Sequence, residues 1–278
     1  MTAVTTTRTT VITPPGRLPL PSWREMWEAR EVFTRFGIRD LKLRYRQTAL
    51  GVIWVVLQPL LSAGIFSIVF GQIANLSSDG VPYFVFSFTG MLAWTVFNGI
   101  VTRAAPSLVN NQALISKVFF PRLLVPLSTV LSVLVDFLVA SVLMVALLVI
   151  YGITPGWGLA TLPLWILATV LLGSGIGMAC SALMVKFRDI NYIVPFAMQS
   201  LLYASPLAYS LSEVSGSIRW LFDINPLTWI LEGFRWALLD LAQPPLWQLA
   251  GAAGVSVVVF VGGMLIFSKM ERGFADVI

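Results

Sequence analysis

LLVPLSTVLSVLVDFLVASVLMVALLVIY, residues 123–151, decides the fold: in this whole stretch the only charged side chain is Asp136. As a helix it is long enough to cross a hydrocarbon core about 30 Å thick, which takes roughly 20 residues. Working outward, apolar runs of comparable length occupy 50–72, 83–101, 161–185, 192–211 and 246–268. The chain is 57% hydrophobic and only 11% charged, against about a quarter charged in soluble domains. With a mean hydropathy of +0.85 it reads as an all-α polytopic membrane protein of six transmembrane helices.

The basic residues orient these spans. Nine precede the first run, three lie between the second and third, two between the fourth and fifth, and two in the tail; the opposite gaps hold only Arg219 and Arg235. By the positive-inside rule both termini are cytoplasmic. A net charge of +5 and a pI near 9.7 would suit nucleic acid, but the basic residues flank membrane ends, where anionic lipids are their partners. No nucleic-acid partner is expected.

Residues 1–21 are rich in Thr and Pro and read as a flexible cytosolic tail without the apolar core of a signal peptide. Ser22 and Glu25 have the spacing of a capping box. Trp23, Met26, Trp27, Phe33, Phe36 and Leu41 then recur near helical spacing among arginines and lysines, so 22–48 reads as an amphipathic helix at the inner interface. Residues 49–278 form the transmembrane domain. In the long outer gap 212–245, Asn225-Pro226 opens a helix of about fourteen residues with Leu227, Ile230, Leu231, Phe234 and Leu238 on one face. That is too short to cross, so an outer re-entrant or interfacial helix is expected between the fifth and sixth spans.

Chemistry is sparse. There are no histidines, and the single Cys180 lies inside the fourth span, so neither a metal site nor a disulfide framework is expected. Gly173, Gly175 and Gly177 are not followed by the lysine of a nucleotide loop; they read as a small-residue packing face. Asp136 shares a helix face with Ser128 or Thr129 and with Ser132, which offers hydroxyl partners for a hydrogen-bonded packing contact, the alternative being a role in transport.

Three spans carry polar and aromatic stripes at helical spacing: Gly51, Trp54, Gln58, Ser62 and Phe66 on the first; Tyr83, Ser87, Trp94 and Asn98 on the second; Tyr192, Phe196, Gln199, Tyr203, Pro206 and Ser210 on the fifth. Aromatic bodies with polar tips suit the CH faces and hydroxyls of a sugar. The same residues also serve as interhelical glue and interface belts, and both readings stand. Pro59 and Pro195 each remove a backbone bond within a span, making either a static kink or a hinge.

Four segments carry a resemblance: RDLKLRYRQTALGVIWVVLQPL at 39–60, LISKVFFPRLLVPLS at 114–128, KFRDINYIVPF at 186–196 and NPLTWILEGFRWALL at 225–239, with the tail ERGFADVI at 271–278. Together they resemble the membrane subunit of an ABC-2-type exporter of the polysaccharide and polyol phosphate export family. The resemblance implies a homodimer joined to two copies of an ABC ATPase that binds ATP and Mg, with no cofactor in this chain. The implied cargo is a lipid-linked polysaccharide such as an O-antigen, teichoic acid or galactan. It also implies a coupling helix within 106–122, carrying Asn110, Asn111, Lys117, Phe119 and Arg122. Outer gate helices would carry Asn225, Trp229, Phe234 and Arg235. The substrate path would run along Trp54, Gln58, Ser62 and Phe66 of the first helix and Phe196, Gln199, Tyr203 and Ser210 of the fifth. Lys117 and Arg122 equally suit headgroup anchoring.

An exporter of drugs or small lipids with the same fold is the alternative. A secondary transporter would show inverted repeats or ion-site carboxylates, and an enzyme would need acid and base groups in the spans; the sequence has neither.

Overall fold

The computed structural model describes residues 23–46, 53–115, 117, 120–214, 216–271 and 273–274. The expected tail 1–21, the capping Ser22, Gly51 of the first stripe, Phe119 of the coupling stretch and the final residues 275–278 lie outside the described residues. Every long element among those described is helical. In chain order they are α1 Trp23–Glu28, α2 Arg30–Arg46, α3 Ile53–Phe66, α4 Tyr83–Ala104, α5 Ser107–Asn110, α6 Gln112–Ile115, α7 Leu124–Tyr151, α8 Leu162–Lys186, α9 Ile190–Tyr203, α10 Gly216–Ile224, α11 Pro226–Leu239 and α12 Leu246–Glu271. Helix α3 continues through a π-helical turn, Ser67–Ile73, and short 3₁₀ turns cover Trp157–Thr161 and Leu211–Glu213.

Among the described residues, five helices are long and apolar enough to cross a membrane: Ile53–Ile73, Tyr83–Ala104, Leu124–Tyr151, Trp157–Lys186 and Leu246–Glu271. The fold is therefore all-α and multi-pass, with one departure from the six expected spans. The run 192–211 is not one helix: α9 stops at Tyr203 after 14 residues, about 21 Å at 1.5 Å per residue. Hydropathy continues past Tyr203, but Pro206 disfavours the helical region for Ser205, and the chain turns there.

Two other ends follow local chemistry, the second of them at the Asn225-Pro226 start read from the sequence. Helix α7 terminates at Gly152, whose φ of 65° puts its N–H on the carbonyls of Leu148 and Val149. At the start of α11, the Asn225 side chain accepts from the Leu227 N–H at 3.0 Å, with Pro226 in the first turn. The amphipathic N-terminal stretch is two helices, broken at Ala29, not one.

Lipid is as apolar as leucine, so these helices associate through close packing, and small residues set how close they come. Helix α4 is the hub, with Phe86, Phe88, Leu92, Phe97 and Ile100 sealed between α3, α7, α8 and α11. The expected small-residue face of α8 is observed and serves two partners. Gly173 lies on Ile100 of α4 and Gly177 on Ala104, while Gly175 meets the backbone of Val259 and Phe260 on α12 and faces Gly263. A second apolar cluster gathers Phe36, Leu108, Ile115, Phe120, Val185 and Phe267 at the end of the bundle where the basic residues lie. There α2 docks on α7: Gly37 faces Leu131, where an added Cβ would meet its Cδ1 at 2.7 Å.

Candidate functional site

At the basic end, α5 and α6 form a short helical pair after α4. Leu108 and Ile115 anchor it inward, while Val109, Asn110, Gln112 and Leu114 face outward. Asn111 fastens the pair: its Nδ2 donates to the Ser107 carbonyl at 2.7 Å, and its Oδ1 accepts from the Arg39 guanidinium of α2. Phe36 and Phe120 pack with ring centroids 5.6 Å apart, and Arg39 stacks over Phe36 at 5.0 Å. Lys117 is exposed and Arg122 half-buried. The arrangement is a rigid connector between the surface helix α2 and the bundle. Among the basic residues of α1 and α2, Arg24 pairs with Glu28 at 3.1 Å and Arg35 with Glu31 at 2.7 Å. Arg35 thereby holds the Glu31 carboxyl below its ordinary range.

The stripes on α3 and α9 point away from the core. Trp54 is 51% exposed, Phe196 74% and Tyr203 63%, and Gln58 and Gln199 are exposed as well. Ser62 and Phe66 are half-buried, with Phe66 edge-on to Phe70 at 5.8 Å. Both helices pack on α4, and neither packs extensively on the other within the chain. Ser210 does not belong to the α9 stripe, since the helix ends seven residues earlier. It is buried and donates to the Asp79 carboxylate at 2.6 Å, which ties it into the loop between α3 and α4.

Helices α10 and α11 meet at Asn225, whose Nδ2 donates to the Ser205 hydroxyl at 3.1 Å. Helix α10 is exposed, whereas nearly all of α11 is buried against α4, α8 and α12. Of the expected gate residues, Trp229 donates to the Asp223 carbonyl at 2.8 Å and packs edge-on to Trp247 at 5.7 Å. Phe234 is sealed against Phe137 of α7. Arg235 is 1% exposed: its guanidinium donates to Glu232 at 2.7 Å and to the carbonyls of Pro206 and Leu207 at 2.6 and 2.9 Å, and lies 3.8 Å over the Phe86 ring. This arginine clamps the turn after α9 onto α4. Nothing in the sequence separates it from an ordinary outer-loop cation, because its partners are backbone carbonyls about thirty residues away.

Asp136 pairs with a residue the sequence places in a basic gap. Arg103, in the last turn of α4, donates one guanidinium nitrogen to the Asp136 carboxylate and the other to the Ser132 hydroxyl at 2.9 Å. The hydroxyls expected to serve Asp136 instead bond their own helix: Ser128 to the Val125 carbonyl at 2.8 Å, Thr129 to Pro126 at 2.8 Å and Ser132 to Thr129 at 2.9 Å. Asp136 is thus held by an ion pair with Arg103 and not by the hydroxyls of its own helix face.

Residues 32–239 match the family described as ABC-2 type transporter. The O-antigen export system permease protein RfbA of Klebsiella pneumoniae is 28% identical over 250 residues, covering 86% of this chain and 92% of its own length. The protein of the same name from Myxococcus xanthus is also 28% identical, covering 91% of this chain and 97% of its own. The polysialic acid transport protein KpsM of Escherichia coli is 23% identical over 207 residues, 73% of this chain and 79% of its own. With three-quarters of its residues inside that family match and a bundle of apolar helices to carry them, this chain belongs to the ABC-2 type transporter family.

Proposed function

We propose that this chain is the membrane subunit of an exporter that carries a lipid-linked polysaccharide across the bacterial cytoplasmic membrane, driven by ATP hydrolysed with Mg on two copies of a separate ATPase. The observation that carries this reading is the likeness to O-antigen permeases along about nine-tenths of the chain. The exposed aromatic and amide side chains of α3 and α9 support it, since a path for sugars needs ring faces and hydrogen-bonding tips.

In this reading two copies face each other across the path, which runs along Trp54, Gln58, Ser62 and Phe66 of α3 and Phe196, Gln199 and Tyr203 of α9. Residues 1–21 are the cytosolic tail, 22–48 the interface helix and 49–278 the transmembrane domain, with both termini cytosolic. The stretch with Asn110, Asn111, Lys117, Phe119 and Arg122 meets the ATPase, and the Arg39–Asn111 bond carries its movement to α2. Helices α10 and α11 form the outer re-entrant pair, held in place by Asn225, Trp229, Phe234 and Arg235.

The test is to deplete the protein in its native cell and profile polyprenyl-linked glycans of the inner membrane by mass spectrometry. Accumulation of one lipid-linked polymer supports the reading and identifies the cargo. Unchanged glycan pools with accumulation of small lipids or drugs overturn it in favour of a small-substrate exporter.

A further inference from the structure

Between α3, α4 and α7 lies a cavity of about 210 Å³ inside one copy of the chain. Its polar wall is Gln58 of α3, Thr95, Asn98, Thr102 and Arg103 of α4, and Asp136 of α7. At roughly 30 Å³ per water the space holds about seven waters, so it is roomy for an ion and far too small for a polymer segment. Polar groups from three helices turned toward one void within apolar spans are costly unless something bonds to them.

The chemistry of the wall selects the occupant. Arg103 and Asp136 neutralise each other and engage Ser132, so a bound anion would have to displace a carboxylate already on the guanidinium. Thr95 and Thr102 donate their hydroxyl protons to the Leu92 and Asn98 carbonyls at 3.0 and 2.6 Å, which leaves their oxygens as acceptors. Gln58 and Asn98 each bring a donor and an acceptor. Pro59 lacks an N–H, so the carbonyl of Val55, also in the wall, loses its usual helical donor. The set is neutral, mixed in donors and acceptors, and completed by the apolar surface of Phe137 and Val133.

We infer that this cavity is a subsite for one neutral sugar ring, whose hydroxyls donate and accept and whose CH face lies on apolar wall. The inference rests on the proposed export of a glycan, and it adds a place within each copy, opening beside Gln58 at the edge of the path between copies, where a single ring is held between α3, α4 and α7. The α3 wall is a single helix with the exposed Gln58 on its outer face, so a ring reaches the cavity there without parting α4 from α7.

The purified full chain tests this directly, with Cys180 changed to alanine and Thr95→Cys as the reporter. Methyl glycosides of galactose, glucose and N-acetylglucosamine at about 100 mM slow maleimide labelling about tenfold for a site with Kd on the order of 10 mM, and Asn98→Leu abolishes the protection. Three outcomes overturn the subsite: no protection by any glycoside, protection by inorganic phosphate instead, or no labelling at all. In cells, Asn98→Leu and Thr102→Val chains present at normal membrane levels, altered at cavity residues outside the proposed path, accumulate the lipid-linked glycan. If depletion of the chain accumulates it but these variants export normally, the subsite falls and the export reading stands; if depletion leaves every glycan pool unchanged, the export reading itself falls.

Discussion

Arg235 shows how one side chain organises the outer half of the molecule. A fully buried guanidinium is costly unless its donors find partners; here Glu232, two carbonyls of the turn after α9 and the Phe86 ring engage the two terminal nitrogens and the guanidinium face, and only Nε is left without a hydrogen bond. Arg235→Leu strands the half-buried Glu232 and frees both carbonyls, so it should cost about 3–5 kcal/mol, read as a lowered thermal unfolding temperature of the purified chain. Arg235→Lys keeps the charge but not the planar fork, and should fall between Leu and wild type. The Arg103–Asp136 pair makes a different prediction, because its two ends lie on different helices. Asp136→Leu leaves a guanidinium in the bundle, so the double variant Arg103→Leu/Asp136→Leu should be more stable than Asp136→Leu alone. A double-mutant cycle should give a coupling of about 1 kcal/mol. A coupling near zero would mean that the pair contributes position but no stability.

Among elements, the crossing of α8 and α12 offers an internal control. Gly175 and Gly263 touch backbone across it, so a methyl group on Gly175 would force the helices apart, an overpacking cost of roughly 1–3 kcal/mol. Gly254 and Gly262, on the same α12, have open space where a Cβ would go. Alanine at either should be neutral or stabilising by up to about 1 kcal/mol through helix propensity. Thermal unfolding of the four single alanine variants checks the contrast; equal effects would show that the crossing is looser than described. The small-residue face was legible from spacing because helix packing in lipid depends on residue size, which sequence carries directly. The same holds for the five long spans and the Asn225-Pro226 start. The end of α9 was missed because a hydropathy window averages over Pro206, which acts by geometry and not by polarity. The Asp136 partner and the carbonyl partners of Arg235 were missed because these are tertiary contacts spanning some thirty residues, and counting Arg103 as a gap cation hid the first.

Across the whole molecule the exposed faces fall into two kinds, and that division predicts how copies meet. Helix α12 and the outer face of α7 present Val135, Leu138, Val142, Val145, Val149, Val257, Val258 and Val261, all aliphatic, which acyl chains solvate without loss. Helix α9 instead exposes Asn191, Tyr192, Phe196, Gln199, Ser200 and Tyr203, and α3 exposes Trp54, Gln58 and Gln72. Amides turned toward lipid have no bonding partner, so in the proposed pairing of copies this is the face that gains from the second copy and a hydrated path. In a Cys180→Ala background, Phe196→Cys and Trp54→Cys should therefore cross-link between copies in native membranes with a short bis-maleimide. Val258→Cys, 70% exposed on α12, should label with a single maleimide and yield no dimer. Dimers through Val258 but not through Phe196 or Trp54 would place lipid against the amide face and remove the path from between the copies. Dimers through α9 and α3 that weaken when the glycan pool is depleted would tie the same face to its cargo.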